Sequence, residues 1–201
     1  MEHLSDFPED FQACVRFHGH LCPGLAIGYA AARAAVAHLG ITRSSDEEVV
    51  AIVENDSCAA DAIQVILGCT FGKGNFIFRD WGKQVFTVLE RRSGRGVRVS
   101  LKGAGLPGHE ERRAMKAKID SGAAGPADLK RWEELRTEAV RELIDSPADR
   151  FFEVKDVDVE MPKEASVVQS RPCDLCGEAT MTSRLVEKDG RRICRGCAAE
   201  L

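Results

Sequence analysis

Near its C-terminus the chain carries Cys173-Asp-Leu-Cys176-Gly177 and Cys194-Arg-Gly-Cys197, two Cys-x-x-Cys pairs with 17 residues between them. That spacing lies within the range of a tetrahedral zinc site. Four thiolates complete the coordination of zinc and leave no open position, so the expected metal is structural. Gly177 permits a tight turn after the first pair. Thr180 to Val186 and Arg191 to Ile193, turned at Asp189-Gly190, read as a hairpin, and the second pair opens a short helix running to Leu201. Knuckle, hairpin and helix in that order predict a treble-clef or zinc-ribbon module over residues 166–201. So short a stretch has too little apolar material to fold alone, and metal binding supplies much of its stability.

The other 165 residues suit one main domain, giving a division into 1–165 and 166–201. With 44% apolar and 30% charged residues the chain reads as folded, and neither disordered nor membrane-resident. No apolar run reaches spanning length; the Leu25–Leu39 stretch is short and contains Arg33 and His38. The first ten residues are polar and acidic, with no signal peptide. Eight cysteines without an export signal point to a reducing cytoplasm, hence to metal ligation or thiol chemistry rather than disulfides. The net charge of −4 gives no global pull towards nucleic acid or anionic lipid.

Phe17-His18-Gly19-His20-Leu21-Cys22-Pro23-Gly24 places two imidazoles and a thiol at alternate positions. In an extended segment His18, His20 and Cys22 would point the same way and converge. Pro23 suits the first turn of a helix, and the Ala-rich residues Leu25 to Leu39, stopped by Gly40, continue it. Cys22 then sits at or beside the N-cap, where a lowered thiol pKa is expected. The alternative is a buried cysteine and two hydrogen-bonded histidines at a turn. Val49 to Val53 reads as a buried strand ending in Glu54-Asn55-Asp56-Ser57-Cys58. With Asp56 or Ser57 as N-cap, a helix follows over Ala59–Leu67, closed by Gly68. Cys58 falls in its first turn and Asp61 one turn on. A small buried cysteine at the end of a strand is the plainer reading there. The glycine-rich Gly68–Asn75 loop is not a P-loop: three residues, not four, separate Gly68 from Gly72, and Gly74 stands where Ser or Thr is required. It either delivers Cys69, Thr70 and Lys73 to a cleft or is a tight connection.

Elsewhere a short helix is expected over Pro8–Arg16, with Phe11, Cys14 and Val15 on its apolar side. Phe76-Ile77-Phe78 reads as a short strand, Asp80–Lys83 as a turn, and Gln84–Arg91 with Val97–Leu101 as a hairpin about Ser93–Gly96. Gly103–Gly108 reads as a loop, and His109 as an extra ligand or a solvated residue. Helices are expected over His109–Ile119 and Ala127–Ile144. The second carries an apolar stripe of Leu129, Trp132, Leu135, Ala139 and Leu143, and the charges around it read as a solvated face. Phe151–Val154 is a last strand and Lys163–Ser170 a linker. The fold class is therefore α+β, a sheet packed by helices, with the four-cysteine module appended.

FHGHLCPG with its Ala-rich helix, then ENDSCAADAIQVILGCTFGKGN, then DWGKQVFTV, resembles the FmdE family of formylmethanofuran dehydrogenase proteins across most of residues 1–160. The C-terminal module is similar to the treble clef found in some members. The resemblance implies an α+β core, often dimeric, with a cleft lined by motif histidines and cysteines. Carried onto this chain, those are His18, His20, Cys22 and Cys58, with Asp61, Cys69 and Lys73 as neighbours. The family name implies association with a molybdenum or tungsten enzyme that reduces carbon dioxide to a formyl group.

Three functions follow. His18, His20, Cys22 and Cys58 could hold a second transition metal, since mixed imidazole and thiolate donors suit zinc or a similar ion. Cys22 and Cys58 could instead be a redox or nucleophilic pair. Or the zinc module could be an adaptor for a protein partner. Its basic residues Arg184, Lys188, Arg191, Arg192 and Arg195 are few and lack aromatic neighbours, which argues against nucleic acid. The preferred expectation is a metal-binding protein with an accessory role in one-carbon or redox metabolism, a homodimer without membrane contact.

Overall fold

The computed structural model describes residues 4–103, 106 and 108–200. The chain divides into two compact units, Met1–Glu164 and Ala165–Leu201. The first begins with α1 (Glu9–His18) and α2 (Pro23–Leu39), then β1 (Val49–Val53), α3 (Ala59–Leu67) and β2 (Phe76–Phe78). After them come β3 (Val85–Glu90), β4 (Gly96–Leu101), α4 (His109–Asp120), α5 (Pro126–Asp145), the short α6 (Ala148–Phe151) and β5 (Phe152–Asp156). The sheet order is β2-β1-β3-β4-β5, with β1 and β2 parallel and the other neighbours antiparallel. This is the expected α+β core.

All five residues of β1 are buried, which explains its unbroken apolar run. Val49, Ala51 and Val53 face the main core with Phe86 and Val88 of β3 and the helices. Val50 and Ile52 pack on the other face with Leu89, under Ile77, Val157 and Met161. The extended chain after β5 thus covers the second side of the sheet. At the end of β1, Glu54 is 1% exposed and its carboxylate takes both guanidinium arms of Arg98 on β4. A carboxylate this deep persists only because it is paired.

The stripe on α5 differs from its expected form. Leu135, Ala139, Val140 and Leu143 are buried, but Leu129 is 48% exposed. The first turns of α5 pair instead with α4, where Arg131 bonds Glu111. Part of the expected Gly103–Gly108 loop lies outside the described residues, and His109 is an exposed first residue of α4.

In the second unit, β6 (Ser170–Pro172) pairs with β7 (Ala179–Met181), and β8 (Leu185–Lys188) pairs with β9 (Arg191–Cys194) before α7 (Arg195–Glu200). The single arm expected over Thr180–Val186 is therefore two strands, split by a turn at Thr182–Arg184, each with its own partner. Asp189 and Gly190 both have positive φ, 51° and 72°, the geometry of a tight hairpin turn.

Helix α2 packs chiefly against α3, and one residue fixes how closely. A Cβ on Gly28 would lie 2.1 Å from the Ala59 carbonyl oxygen at the start of α3. We expect Gly28→Ala to push the two helices apart at a cost of about 1–3 kcal/mol, read by urea denaturation. Gly72→Ala, where the added atom meets nothing within 4 Å, should cost much less; equal losses would contradict this account.

Candidate metal centres

His18, His20, Cys22 and Cys58 each offer a donor atom, and these atoms all lie within 4.8 Å of one another. Tetrahedral zinc needs ligand separations of roughly 3.3–3.8 Å at its usual bond lengths, so small side-chain movements would close the cluster. The convergence is not that of an extended strand. His18 is the last residue of α1, Gly19 turns the chain with φ 94°, and only then does Cys22 adopt an extended backbone as N-cap of α2. Cys58 is the N-cap of α3, the place expected for Asp56 or Ser57. Two helix N-termini therefore present the two thiols, and the end of a third helix presents an imidazole.

Each element is fastened. The Cys22 Sγ accepts the Leu25 N–H at 3.3 Å. The His18 Nδ1 donates to Asp61 Oδ2 at 2.7 Å, leaving Nε2 facing Cys22 Sγ at 3.8 Å. A carboxylate behind a ligating histidine fixes its tautomer and raises its basicity. Arg136 of α5 donates to the Leu21 carbonyl at 2.6 Å and pins the motif loop from the far side. Nothing in the Glu/Arg pattern of α5 distinguished that arginine from its solvated neighbours. The Asp80–Lys83 turn and Gln84, the first residue of the expected hairpin arm, brace the Cys58 loop. Asn55 donates to the Lys83 carbonyl at 2.6 Å, and Gln84 to Ser57 Oγ at 3.1 Å.

The expected lowering of the Cys22 pKa is not found. Burial pushes this thiol up to about 11, assisted by the nearby Cys58 and opposed by the Leu25 N–H and Arg136. A thiol raised in this way is a poorer nucleophile, and a bound cation would take the place of its proton. A cavity of about 390 Å³ adjoins the cluster, lined by His18, Cys58, Asp56, Asp61, Phe76 and Phe78 among others. A larger one of about 460 Å³, around Tyr29 and Arg33, shares no residue with it and touches no candidate ligand.

Cys69 and Lys73 are not brought to this centre. Cys69 is buried with its Sγ on the Val49 carbonyl, and burial raises its pKa to about 12. Lys73 reaches the carbonyls of Ser45 and Asp46. The Gly68–Asn75 loop is thus the tight connection, tied by Asn75 to the Val49 carbonyl at 2.9 Å.

In the second unit the Sγ atoms of Cys173, Cys176, Cys194 and Cys197 also lie within 4.8 Å of one another. Backbone N–H groups of Cys176, Cys194 and Leu175 hold the Cys173 thiol down, to about 6. The adjoining Cys194 and burial push Cys197 up to about 12. Four thiols so close cannot all ionise without a cation, and the set is compatible with a structural metal such as zinc.

Replacing Asp61 by Asn should weaken metal at the core cluster by about 10–100-fold and leave the four-cysteine cluster unaffected. Chelator competition on the full chain reads both, and equal weakening of the two would contradict the role given to Asp61.

Comparison with known proteins bears on the same residues. The family model described as "FmdE, Molybdenum formylmethanofuran dehydrogenase operon" matches residues 17–153. A probable S-adenosyl-L-methionine-binding protein of Archaeoglobus fulgidus is 32% identical over 189 residues, covering 90% of this chain and 50% of that protein. The chain thus spans about half the length of this relative. A crystal structure of a tungsten formylmethanofuran dehydrogenase FmdE-like protein from Syntrophus aciditrophicus aligns with a TM-score of 0.62 at 23% identity, over 98% of this chain and 92% of that one. The structural likeness extends to the fold. The family match takes in the candidate core donors and the residues that hold them, from His18 to Arg136, and covers well over half of the sequence: the chain belongs to the FmdE family.

Proposed function

We propose that the protein binds two metals of different purpose, a structural zinc at the four cysteines and a reactive transition metal at His18, His20, Cys22 and Cys58. The observation that carries this reading is the core cluster itself, four mixed donors within 4.8 Å beside a cavity of about 390 Å³. A divalent metal there would supply Lewis acidity to a polar group of a substrate seated in the cavity. The chain's own residues hold and shape: His18 and the two cysteines fix the donors, and Asp61 orients His18. Phe76 and Phe78 offer apolar surface to the substrate's remainder. The burial that raises the Cys22 pKa counts against its acting as a free thiolate nucleophile.

The family's description, which names a molybdenum formylmethanofuran dehydrogenase operon, and that of the solved structure, which names a tungsten enzyme, support an accessory role beside such a dehydrogenase, and so in one-carbon metabolism. A homodimer in the cytoplasm belongs to the same proposal. Among the described residues, no helix is long and apolar enough to cross a membrane.

One observation favours a further ligand. The carboxylates of Asp56 and Asp61 and the rings of Phe76 and Phe78 suit a cation with a flat body. The archaeal relative's description offers such a molecule, S-adenosyl-L-methionine, whose sulfonium carries the charge. Calorimetric titration should then show tighter binding of the sulfonium than of S-adenosylhomocysteine, and Phe78→Ala should weaken it roughly fivefold. Equal affinity for the two compounds removes this reading.

Elemental analysis of the purified full chain tests the main proposal. The wild type should hold about two metals per chain. Cys22→Ser with Cys58→Ser should hold one, as should Cys173→Ser with Cys176→Ser. An unchanged total in the first double variant defeats the core site.

A further inference from the structure

The four core donors are not held alike. The Cys22 Sγ accepts the Leu25 N–H at 3.3 Å, and the residue is 7% exposed. Cys58 caps α3 and is wedged against α2, where a Cβ on Gly24 would come within 3.2 Å of the Cys58 Cβ. The His18 side chain is 12% exposed and locked by Asp61 at 2.7 Å. His20 is exposed, and among the described residues no hydrogen bond orients its ring. Its ring lies beside that of His18, 4.4 Å away between centroids and tilted by 40°. It also follows Gly19, whose positive φ turns the chain in open space, with nothing within 4 Å of where a Cβ would stand.

We propose that His20 is the exchangeable ligand of this centre. His18, Cys22 and Cys58 anchor the metal, and His20 yields its position to a donor from outside. Structural zinc sites keep four protein ligands, whereas reactive ones keep three and an open position. Here a single cluster passes between the two states by the swing of one imidazole. The incoming group must match the borderline-soft character of a two-thiolate site, so the class of ligand is a thiol bound as thiolate. In the exchange, the metal–nitrogen bond to His20 breaks and a metal–sulfur bond forms. The thiol's proton passes to solvent, and His20 leaves as neutral imidazole, with no change of oxidation state. The inference rests on the core cluster being a metal centre, as proposed above.

The test uses the full chain loaded with cadmium at both clusters, whose separate 113Cd resonances report each site, and 2-mercaptoethanol as the probe. His20→Ala is expected to keep both cadmium ions, with core affinity lowered by no more than about tenfold, the lower end for loss of a supporting contact. His18→Ala and Cys58→Ser should lose the core cadmium. The thiol should shift the core resonance in the wild type and, at several-fold lower concentration, in His20→Ala, while the four-cysteine resonance stays in place. If His20→Ala loses the core metal as fully as Cys58→Ser, with an unchanged circular dichroism spectrum, His20 is a fixed ligand and the inference fails. A core resonance unmoved by thiol in both proteins also overturns it. A wild type holding cadmium only at the four cysteines refutes the underlying metal reading, a different outcome from either of these.

Discussion

The close approach of α2 to α3 is the contact on which the core centre depends. Two glycines one helical turn apart, Gly24 and Gly28, face the start of α3, and at Gly28 the Ala59 carbonyl fills the space where a side chain would begin. Because each helix begins with a cysteine at its N-cap, this one contact sets the separation of Cys22 and Cys58. The alanines that follow on α2 serve the same end, since Ala26, Ala31, Ala32 and Ala35 are all 0% exposed against the core. A helix built of such small residues gains little stability from any single side chain. What it gains is proximity, and the two candidate metal donors Cys22 and Cys58 are the beneficiaries.

A second constraint comes from the sheet. β1 ends at Val53, and the next four residues lead directly to Cys58. Their course is held by Glu54 on Arg98, by Asn55 on the Lys83 carbonyl, and by the Arg79 N–H on the Val53 carbonyl at 2.8 Å. A buried carboxylate paired with an arginine adds little net stability compared with apolar packing, but it is costly to break and specifies one arrangement. Its position at the foot of the Cys58 loop makes that specificity local to the centre. The same segment places Trp81 between Arg79 and Lys83, 5.3 and 5.6 Å from its ring, which stiffens the bracing turn.

Local signals in the sequence disclosed most of this fold. β1, α2 and the His109 and Pro126 helices lie where periodicity, Pro23 and the stopping glycines put them, since those signals act within a few residues. The donors His18, His20, Cys22 and Cys58 were also readable, although the geometry that joins them was not. Alternation suggested a strand, whereas the chain uses a helix end, a left-handed glycine and an extended N-cap. Lowered pKa at a helix N-terminus was a sound local expectation for Cys22, and burial, a property of the whole fold, outweighed it. Arg136 was invisible for the same reason. Its partner, the Leu21 carbonyl, lies 115 positions away, and no helix-face pattern encodes a contact of that range.

The two clusters differ in how the chain supports their donor atoms. In the four-cysteine unit the chain's own N–H groups point at sulfur: Cys194 N to Cys173 Sγ at 3.2 Å and Cys197 N to Cys194 Sγ at 3.4 Å. Such bonds stabilise thiolate charge from the protein side, and four thiolates leave the metal no vacancy. In the core, among the described residues, only Cys22 receives an N–H of this kind, one donor depends on a carboxylate, and one is exposed. Less charge would be neutralised by the backbone there, and two of the four donors are imidazoles, so a metal bound in the core, as proposed, would retain more of its positive character. On the proposed reading that is the condition for acting on a substrate, and the cavity beside His18 and Cys58 would supply the room.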